Sequence, residues 1–436
     1  MSKNSVIKAV SILWIGSILG AAFSFFTQTL LARTLGPSIF GLFSASLATV
    51  VLITPLACFG LSSFWLKIFG EEGWAALRWL PASYRYASLT TILALAVIIF
   101  FATFGSHSHT TRELLLILST YLVGQSIIEL IATKLQLEEN YLSLATWQLL
   151  PHLIRLLSVA AVTIYLAKEI KAEHIAYTYA AISVLFFLAG ATSLNSLKSG
   201  KFSLKGHDLK SSCTEFSAYS TRPTIKDVAL KSSPFGIAGF IYLIYYQIDI
   251  VLIKYMIGDS ASGIYSIAFL VMGAVYILPG VIYQKILLPK MHRWSSTDMS
   301  KLFDVYRSGN RVMLGIGAAA AIAIWLTSPW GVIFLFGEPY KESVFLLSIL
   351  AIAAPLRFAA ANAGAVMSTQ DHIKVKIQIM LFAAILNLIL NLIFIPIYGT
   401  PGAAATTVLT ELFLAFSMHL YVQRSVFNNP GRKSQK

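Results

Sequence analysis

The stretch LARTLGPSIFGLFSAS, residues 31–46, separates two apolar runs and spaces two glycines five residues apart around a proline. It returns half a chain later. Residues 253–268 read IKYMIGDSASGIYSIA, and the two align without a gap at an offset of 222, placing Gly36 on Gly258, Gly41 on Gly263, Phe43 on Tyr265 and Ser44 on Ser266. Turn chemistry between apolar runs marks a helix-break-helix junction. A junction repeated at half the length of a 436-residue chain points to two duplicated halves.

Composition says what those halves are made of. The chain is 57% hydrophobic and only 12% charged, with a mean hydropathy of +0.73, whereas a soluble domain carries roughly a quarter of its residues charged. Apolar runs long enough to cross about 30 Å of hydrocarbon as helices recur throughout. Hydropathy predicts twelve spans, near 6–31, 39–61, 82–104, 113–133, 144–166, 175–193, 232–253, 263–285, 312–336, 343–366, 374–397 and 402–422. The fold class expected is therefore all-α integral membrane: a six-helix bundle over 1–193, a basic linker over 194–231 and a second six-helix bundle over 232–436. An even number of helices in each half makes the repeat parallel, related by an axis along the membrane normal. The first span is long for a cleaved signal peptide and reads as a retained helix.

The formal net charge is +14. In a membrane protein such an excess is first a topology signal. With both termini in the cytoplasm, the inside segments hold 25 of the Lys and Arg residues and the outside segments six. The charge thus requires no nucleic acid and suits anionic lipid headgroups. Two segments read as lying in the cytoplasmic interface: the one carrying Trp65, Trp74 and Trp79, and HRWSSTDMSKLFDVYR at 292–307. Cys58 and Cys213 do not pair by pattern, and HSH at 107–109 is a weak metal signal, so no metal site and no cofactor is expected.

Chemistry then rests on polar residues within spans, which are costly there and tend to face a cavity. These are Glu129, Arg155, Asp249, Arg357 and Glu411, with Asn362, Asn387 and Asn391 beside them. Arg357 in APLRFAAANAGA and Arg155 in PHLIRLL are the two cations. Each reads as either a substrate site or half of a structural ion pair, the pair for Arg155 being with Glu129 across the hairpin of the fourth and fifth spans. Asp249 suits a proton or a sodium ion, or a hydrogen-bonded structural role. No phosphate-binding GxxxxGK[ST] loop, GxSxG elbow or HExxH motif occurs, and nothing proposes covalent catalysis.

The quoted junction, the Phe59-Gly60-Leu61 turn, QIDIVLIKYMIGDSASGIYSIA, ILPGVIYQKILLP, FLFGEPYKES and LNLILNLIFIPIYGTPGAAATTVLTE together resemble the polysaccharide flippases, exporters of lipid-linked oligosaccharides in O-antigen and capsule synthesis. The resemblance covers nearly the whole chain. Beside Asp249 that family often has Arg or Lys, where this chain has Tyr246 and Gln247. The resemblance implies two bundles packed as a V around a central cavity, as in the multidrug/oligosaccharidyl-lipid/polysaccharide exporter superfamily, in a bacterial cytoplasmic membrane. It implies transport of an undecaprenyl-diphosphate-linked glycan to the periplasmic leaflet by alternating access, coupled to an ion gradient. Partners would be that lipid-linked glycan, membrane lipid and other polysaccharide-assembly proteins, with a monomer as the working unit. An arginine fork suits diphosphate oxygens, so Arg357 and Arg155 lead as substrate-binding candidates, followed by Lys254, Arg311 and Asn362. Asp249, Glu129 and Glu411 are the ion-coupling candidates, and Gly36, Gly41, Gly258 and Gly263 the structural hinges. A multidrug cation antiporter of the same superfamily, favoured by intramembrane acids, and a membrane glycan polymerase remain as alternatives.

Overall fold

A computed structural model of the chain describes residues 3–166, 169–198, 202–204, 222–280, 287–369 and 372–427. Every regular element among them is helical. Cys213 and most of the 194–231 linker lie outside the described residues, as does part of ILPGVIYQKILLP. The long helices are α1 (Lys3–Ile53), α2 (Leu61–Glu72), α3 (Leu80–Phe104), α4 (His109–Leu137), α5 (Tyr141–Leu166), α6 (Ala172–Lys198), α7 (Ile225–Met256) and α8 (Asp259–Gly280). They continue with α9 (Leu288–Thr297), α10 (Met299–Phe336), α11 (Glu342–Leu350), α12 (Ala353–Val366), α13 (Ile373–Tyr398) and α14 (Thr400–Tyr421).

Among the described residues, ten stretches are long and apolar enough to cross a membrane. The first of them, Ser11–Phe104, runs through both arms of α1, through α2 and through α3. Taking those two arms and α3 as separate crossings gives the twelve of the hydropathy pattern. Phe100, Phe104, Ile164, Leu326 and Phe334 are each more than 60% exposed. Large side chains left outside in such numbers belong against lipid, because in water they would form an aggregating surface.

α1 breaks at Gly36, whose φ is +70°. Its repeat partner Gly258 also has positive φ, +136°, in the short link between α7 and α8. These are left-handed backbone conformations that glycine adopts without a Cβ penalty. The second glycine of each junction serves close approach instead. A Cβ on Gly41 would run into the Asp259 carbonyl and the Gly263 nitrogen, and one on Gly263 would run into the Pro37 carbonyl. The two copies of the repeated motif are therefore packed against each other, backbone on backbone.

The chain forms two compact units, 1–35 with 45–247, and 36–44 with 248–436. This division differs from the one expected at the linker. α7 begins at Ile225, seven residues before the predicted span, because Thr224 and Asp227 form a capping box: Thr224 N donates to Asp227 Oδ2 at 2.8 Å and Asp227 N to Thr224 Oγ1 at 3.3 Å. The segment 36–44 is counted with the second unit through the Gly41–Gly263 contact and the edge-on pairing of Phe40 with Tyr340.

In the first unit α4 packs on α6, α3 and α5. The tryptophans expected at the membrane interface are turned inward instead. Trp65, Trp74 and Trp79 are at most 7% exposed, in one cluster with Phe64, Phe69 and Leu197. Glu72 supports the burial of Trp79 by accepting from its Nε1 at 3.0 Å, and it also accepts from Arg78 Nε and Nη2 at 3.1 and 3.0 Å. In the second unit α12 packs on α10 and α14 through buried alanines at 353, 354, 359, 360 and 363, the small-residue contact typical of membrane helices. The predicted tenth span is in fact two helices. Pro355 has no N–H to give the Ala351 carbonyl, so the ladder breaks between α11 and α12.

Candidate functional site

Among the described residues, Asp249, Arg357 and Arg155 each anchor a polar cluster. The most complete is around Asp249, 3% exposed near the C-terminal end of α7. Asp249 Oδ2 accepts from Tyr265 Oη at 2.9 Å and from Thr407 Oγ1 at 2.8 Å. Asp249 Oδ1 accepts from Asn391 Nδ2 at 2.7 Å, and the same amide reaches Asn387 Oδ1 at 3.1 Å. Four helices, α7, α8, α13 and α14, each contribute. All four partners are neutral, and no ion pair involving Asp249 occurs among the described residues. Asn391 Oδ1 is buried without a hydrogen-bond partner among them as well. Asp249 Oδ1 and Asn387 Oδ1 thus meet on the Asn391 amide, and a buried carboxylate held by neutral donors alone has the chemistry to exchange a proton or a hard monovalent cation.

The second cluster surrounds Arg357, in the second turn of α12. Its Nη1 donates to Glu411 Oε1 of α14 at 2.7 Å, and its guanidinium lies 5.4 Å from the Tyr276 ring centre. The Glu411 side chain is 2% exposed and that of Arg357 20%. Arg357 and Glu411, assigned separately to substrate and to ion coupling by the sequence, are one ion pair.

The third cluster lies in the first unit. The Arg155 guanidinium of α5 sits 4.5 Å from the Tyr179 ring centre and 5.4 Å from that of Tyr121. Arg155 is 8% exposed, its Nε has no hydrogen-bond partner, and no carboxylate pairs with it among the described residues. The pairing with Glu129 that the sequence leaves open is absent. The Glu129 side chain is accessible and has Ser62 for a polar neighbour. Gln28 Nε2 reaches Tyr179 Oη at 3.4 Å, which fixes the ring under the cation.

The remaining candidates do not join these clusters. Lys254 is paired with Asp259 across the α7–α8 link and so fastens that turn. Asn362 is fully buried and donates to the Tyr306 carbonyl at 2.9 Å, tying α12 to α10. Arg311 is exposed at the start of the apolar part of α10. His107 and His109 do not meet: His107 Nε2 is 2.8 Å from the Phe101 carbonyl and His109 faces Glu113. No group of three metal-ligating His, Cys, Asp or Glu side chains occurs among the described residues.

Sequence reasoning misses the tyrosines and Thr407. A tyrosine among aromatic-rich spans carries no charge to draw the eye. One signal is present, because Tyr265 replaces Phe43 of the first junction and so adds a hydroxyl on the repeat that also gains Asp249.

Comparison with solved structures supports this architecture. The chain superposes on the lipid II flippase MurJ in an inward closed conformation with a TM-score of 0.72 and 14% identity, over 94% of this chain and 87% of that one. An inward-facing multidrug resistance MATE family transporter of the MOP superfamily gives 0.74 at 14% identity, over 98% and 100%. A MOP superfamily transporter from Pyrococcus furiosus gives 0.61 at 16%, over 96% and 95%. In sequence, an uncharacterized membrane protein of Methanocaldococcus jannaschii is 24% identical over 401 residues, 90% of this chain and 91% of that protein. The chain shares the fold of these flippase and transporter structures. The family model described as polysaccharide biosynthesis protein matches residues 6–294, two-thirds of the chain, and the protein is a multi-pass membrane member of that family.

Proposed function

We propose that this protein is a flippase that carries an undecaprenyl-diphosphate-linked oligosaccharide from the cytoplasmic to the periplasmic leaflet of a bacterial inner membrane, with both termini cytoplasmic. The observation that carries this reading is Arg155. A buried guanidinium without a carboxylate partner among the described residues is expensive to keep in a membrane helix unless an anion visits it. The fork geometry matches phosphate oxygens, and the Tyr179 ring beneath the guanidinium, itself held by Gln28, keeps the fork in place. Arg357, neutralised by Glu411, is the weaker diphosphate ligand. Family membership and the superfamily fold support the class of activity; the diphosphate as the recognised group is our inference.

Coupling is assigned to Asp249. The carboxylate exchanges a proton or a sodium ion, with Thr407, Asn387 and Asn391 supplying further oxygens, and the α7 and α8 hinge lies a few residues away. Occupancy of this site would bias the bundle between its two states, which is all a coupling ion needs to do. A multidrug cation antiporter is the second reading, favoured by the accessible carboxylate of Glu129.

Reconstitution of the full chain into vesicles containing a lipid-linked glycan tests both points. Wild type should accumulate the glycan in one leaflet under an imposed ion gradient. Asp249→Asn should abolish the gradient dependence while leaving slow equilibration between leaflets. A sodium gradient and a proton gradient, imposed separately, distinguish the ion. Cation extrusion with no glycan movement would refute the flippase reading. Reporters joined at Asp298 and at Thr400 should read cytoplasmic and periplasmic respectively; reversed signals would overturn the direction of transport.

A further inference from the structure

α10 is 38 residues long, about 57 Å at the helical rise, so it cannot lie wholly within about 30 Å of hydrocarbon. Its apolar run begins at Val312. The turns before it, from Met299 to Arg311, carry Lys301, Asp304, Arg307 and Arg311 and so stand at headgroup level. There, a cleft of about 320 Å³ opens between α10 and the turn that follows α14, lined by Tyr306, Arg307, Asn310, Arg311, Gln423 and Phe427.

Arg307 and Arg311 are one helical turn apart on the same face, and both are exposed. Neither forms an ion pair or a hydrogen bond among the described residues, and Asp304, the acid nearest in sequence, pairs with neither. Asn310 Oδ1 is 2.8 Å from His419 Nε2, whose Nδ1 is in turn 2.8 Å from the Ala415 carbonyl, so the amide is held at the cleft wall. Tyr306 supplies an independent sign of a missing acceptor. The residue is 4% exposed, lines the cleft, and its hydroxyl is buried without a hydrogen-bond partner. On one side the cleft is closed by aromatic rings: Phe427 is 5.3 Å from Tyr306 and 5.0 Å from Phe303, centre to centre.

We infer that this cleft binds the phosphate group of an anionic glycerophospholipid in the inner leaflet, as a site separate from any transported cargo. Two unpaired guanidinium forks, two carboxamides and a hydroxyl form a donor-rich wall that suits phosphate oxygens. The aromatic side and the adjoining apolar helix receive the glycerol and the first acyl carbons. The position, where a basic amphipathic segment becomes a membrane-crossing helix, places a lipid phosphate within reach.

Native mass spectrometry of the detergent-solubilised full chain, titrated with phosphatidylglycerol, tests this. Wild type should retain phosphatidylglycerol in preference to phosphatidylcholine. Arg307→Ala/Arg311→Ala should weaken retention about 10-fold or more, as expected for lost charge-assisted contacts, and Tyr306→Phe by about 3-fold for one neutral hydrogen bond. A control removing two exposed cations elsewhere, Arg222→Ala/Lys226→Ala, should retain the lipid as wild type does. Equal retention in the Arg307/Arg311 variant and wild type would overturn the site, as would an equal loss in the control, which would mean diffuse surface attraction. If the double variant fails to fold, Tyr306→Phe decides the question: unchanged retention overturns the cleft site, and weakened retention supports it. Inorganic phosphate in competition separates the sources. If it displaces the lipid at comparable concentration, free phosphate and not the lipid is the ligand, and the proposal falls.

Discussion

The two buried arginines sit in opposite electrical settings. Arg357 has a carboxylate, Glu411, at 2.7 Å; Arg155 has two tyrosine faces and no carboxylate among the described residues. Both residues lie in apolar helices, and both read from sequence as the same kind of candidate. The difference teaches that an intramembrane cation is not a functional site by charge alone. A neutralised pair contributes mainly to holding α12 on α14, and its removal is felt as stability. A cation held only by aromatic rings keeps its positive potential available.

Substitutions can break this contrast, and the largest effect is expected at the pair. Arg357→Ala removes the cation that neutralises the buried Glu411 carboxylate, at a cost of about 3–5 kcal/mol. Membrane abundance should fall with activity, and adding Glu411→Gln should restore both. Normal abundance with selectively lost transport would return Arg357 to the substrate site. Next comes Arg155→Ala, which should leave abundance unchanged and lower glycan transport about 10- to 100-fold, the value of one or two hydrogen bonds to a charged group. Arg155→Lys should recover only part, since an ammonium keeps the charge and loses the planar fork. Undiminished transport in the alanine variant would end the assignment. The smallest effects concern the rings. Tyr179→Leu removes a cation–π contact worth about 0.5–2 kcal/mol and should lower transport without lowering abundance. Tyr276→Leu beside Arg357 should do the reverse, shifting thermal stability by about 1 kcal/mol while transport per folded molecule holds.

The repeated junction shows how much of the fold is legible in the chain. The glycine frame is common to both copies, because the need for a positive φ at Gly36 and Gly258 is local and leaves a mark in the sequence. The polar residues are not common. By the same offset of 222, Thr27 stands where Asp249 does, Ala32 at Lys254, Pro37 at Asp259 and Phe43 at Tyr265. Duplication supplied the frame, and only the second copy acquired an ionisable cluster. The sequence flags Asp249 as an expensive residue; it does not supply Tyr265 and Thr407, 16 and 158 residues away, as the donors that make it tolerable.

Misreadings have local causes of the same kind. Trp65, Trp74 and Trp79 read as interface anchors because tryptophan favours headgroups. Whether such a residue meets lipid or protein depends on what the rest of the chain brings to it. Here Leu197 and Phe202 arrive from elsewhere and, with the neighbouring Glu72 carboxylate, enclose the rings. Lys254 reads as a cation open to substrate because Asp259 is five residues on, across a break whose geometry is invisible in the one-letter code.

By itself the sequence determined that the chain lives in a membrane, that it is helical throughout its apolar spans, and that its two halves share one plan. These follow from hydrocarbon thickness, from the need to satisfy every backbone group inside it, and from turn chemistry, all of which act on neighbouring residues. Only the tertiary structure decided which charges are neutralised. Pairing depends on atoms a few ångströms apart in space and as much as 158 residues apart in sequence, and a shift of one helical turn exchanges a salt bridge for an open binding site. That is why Arg155 and Arg357, alike in the sequence, differ in the fold.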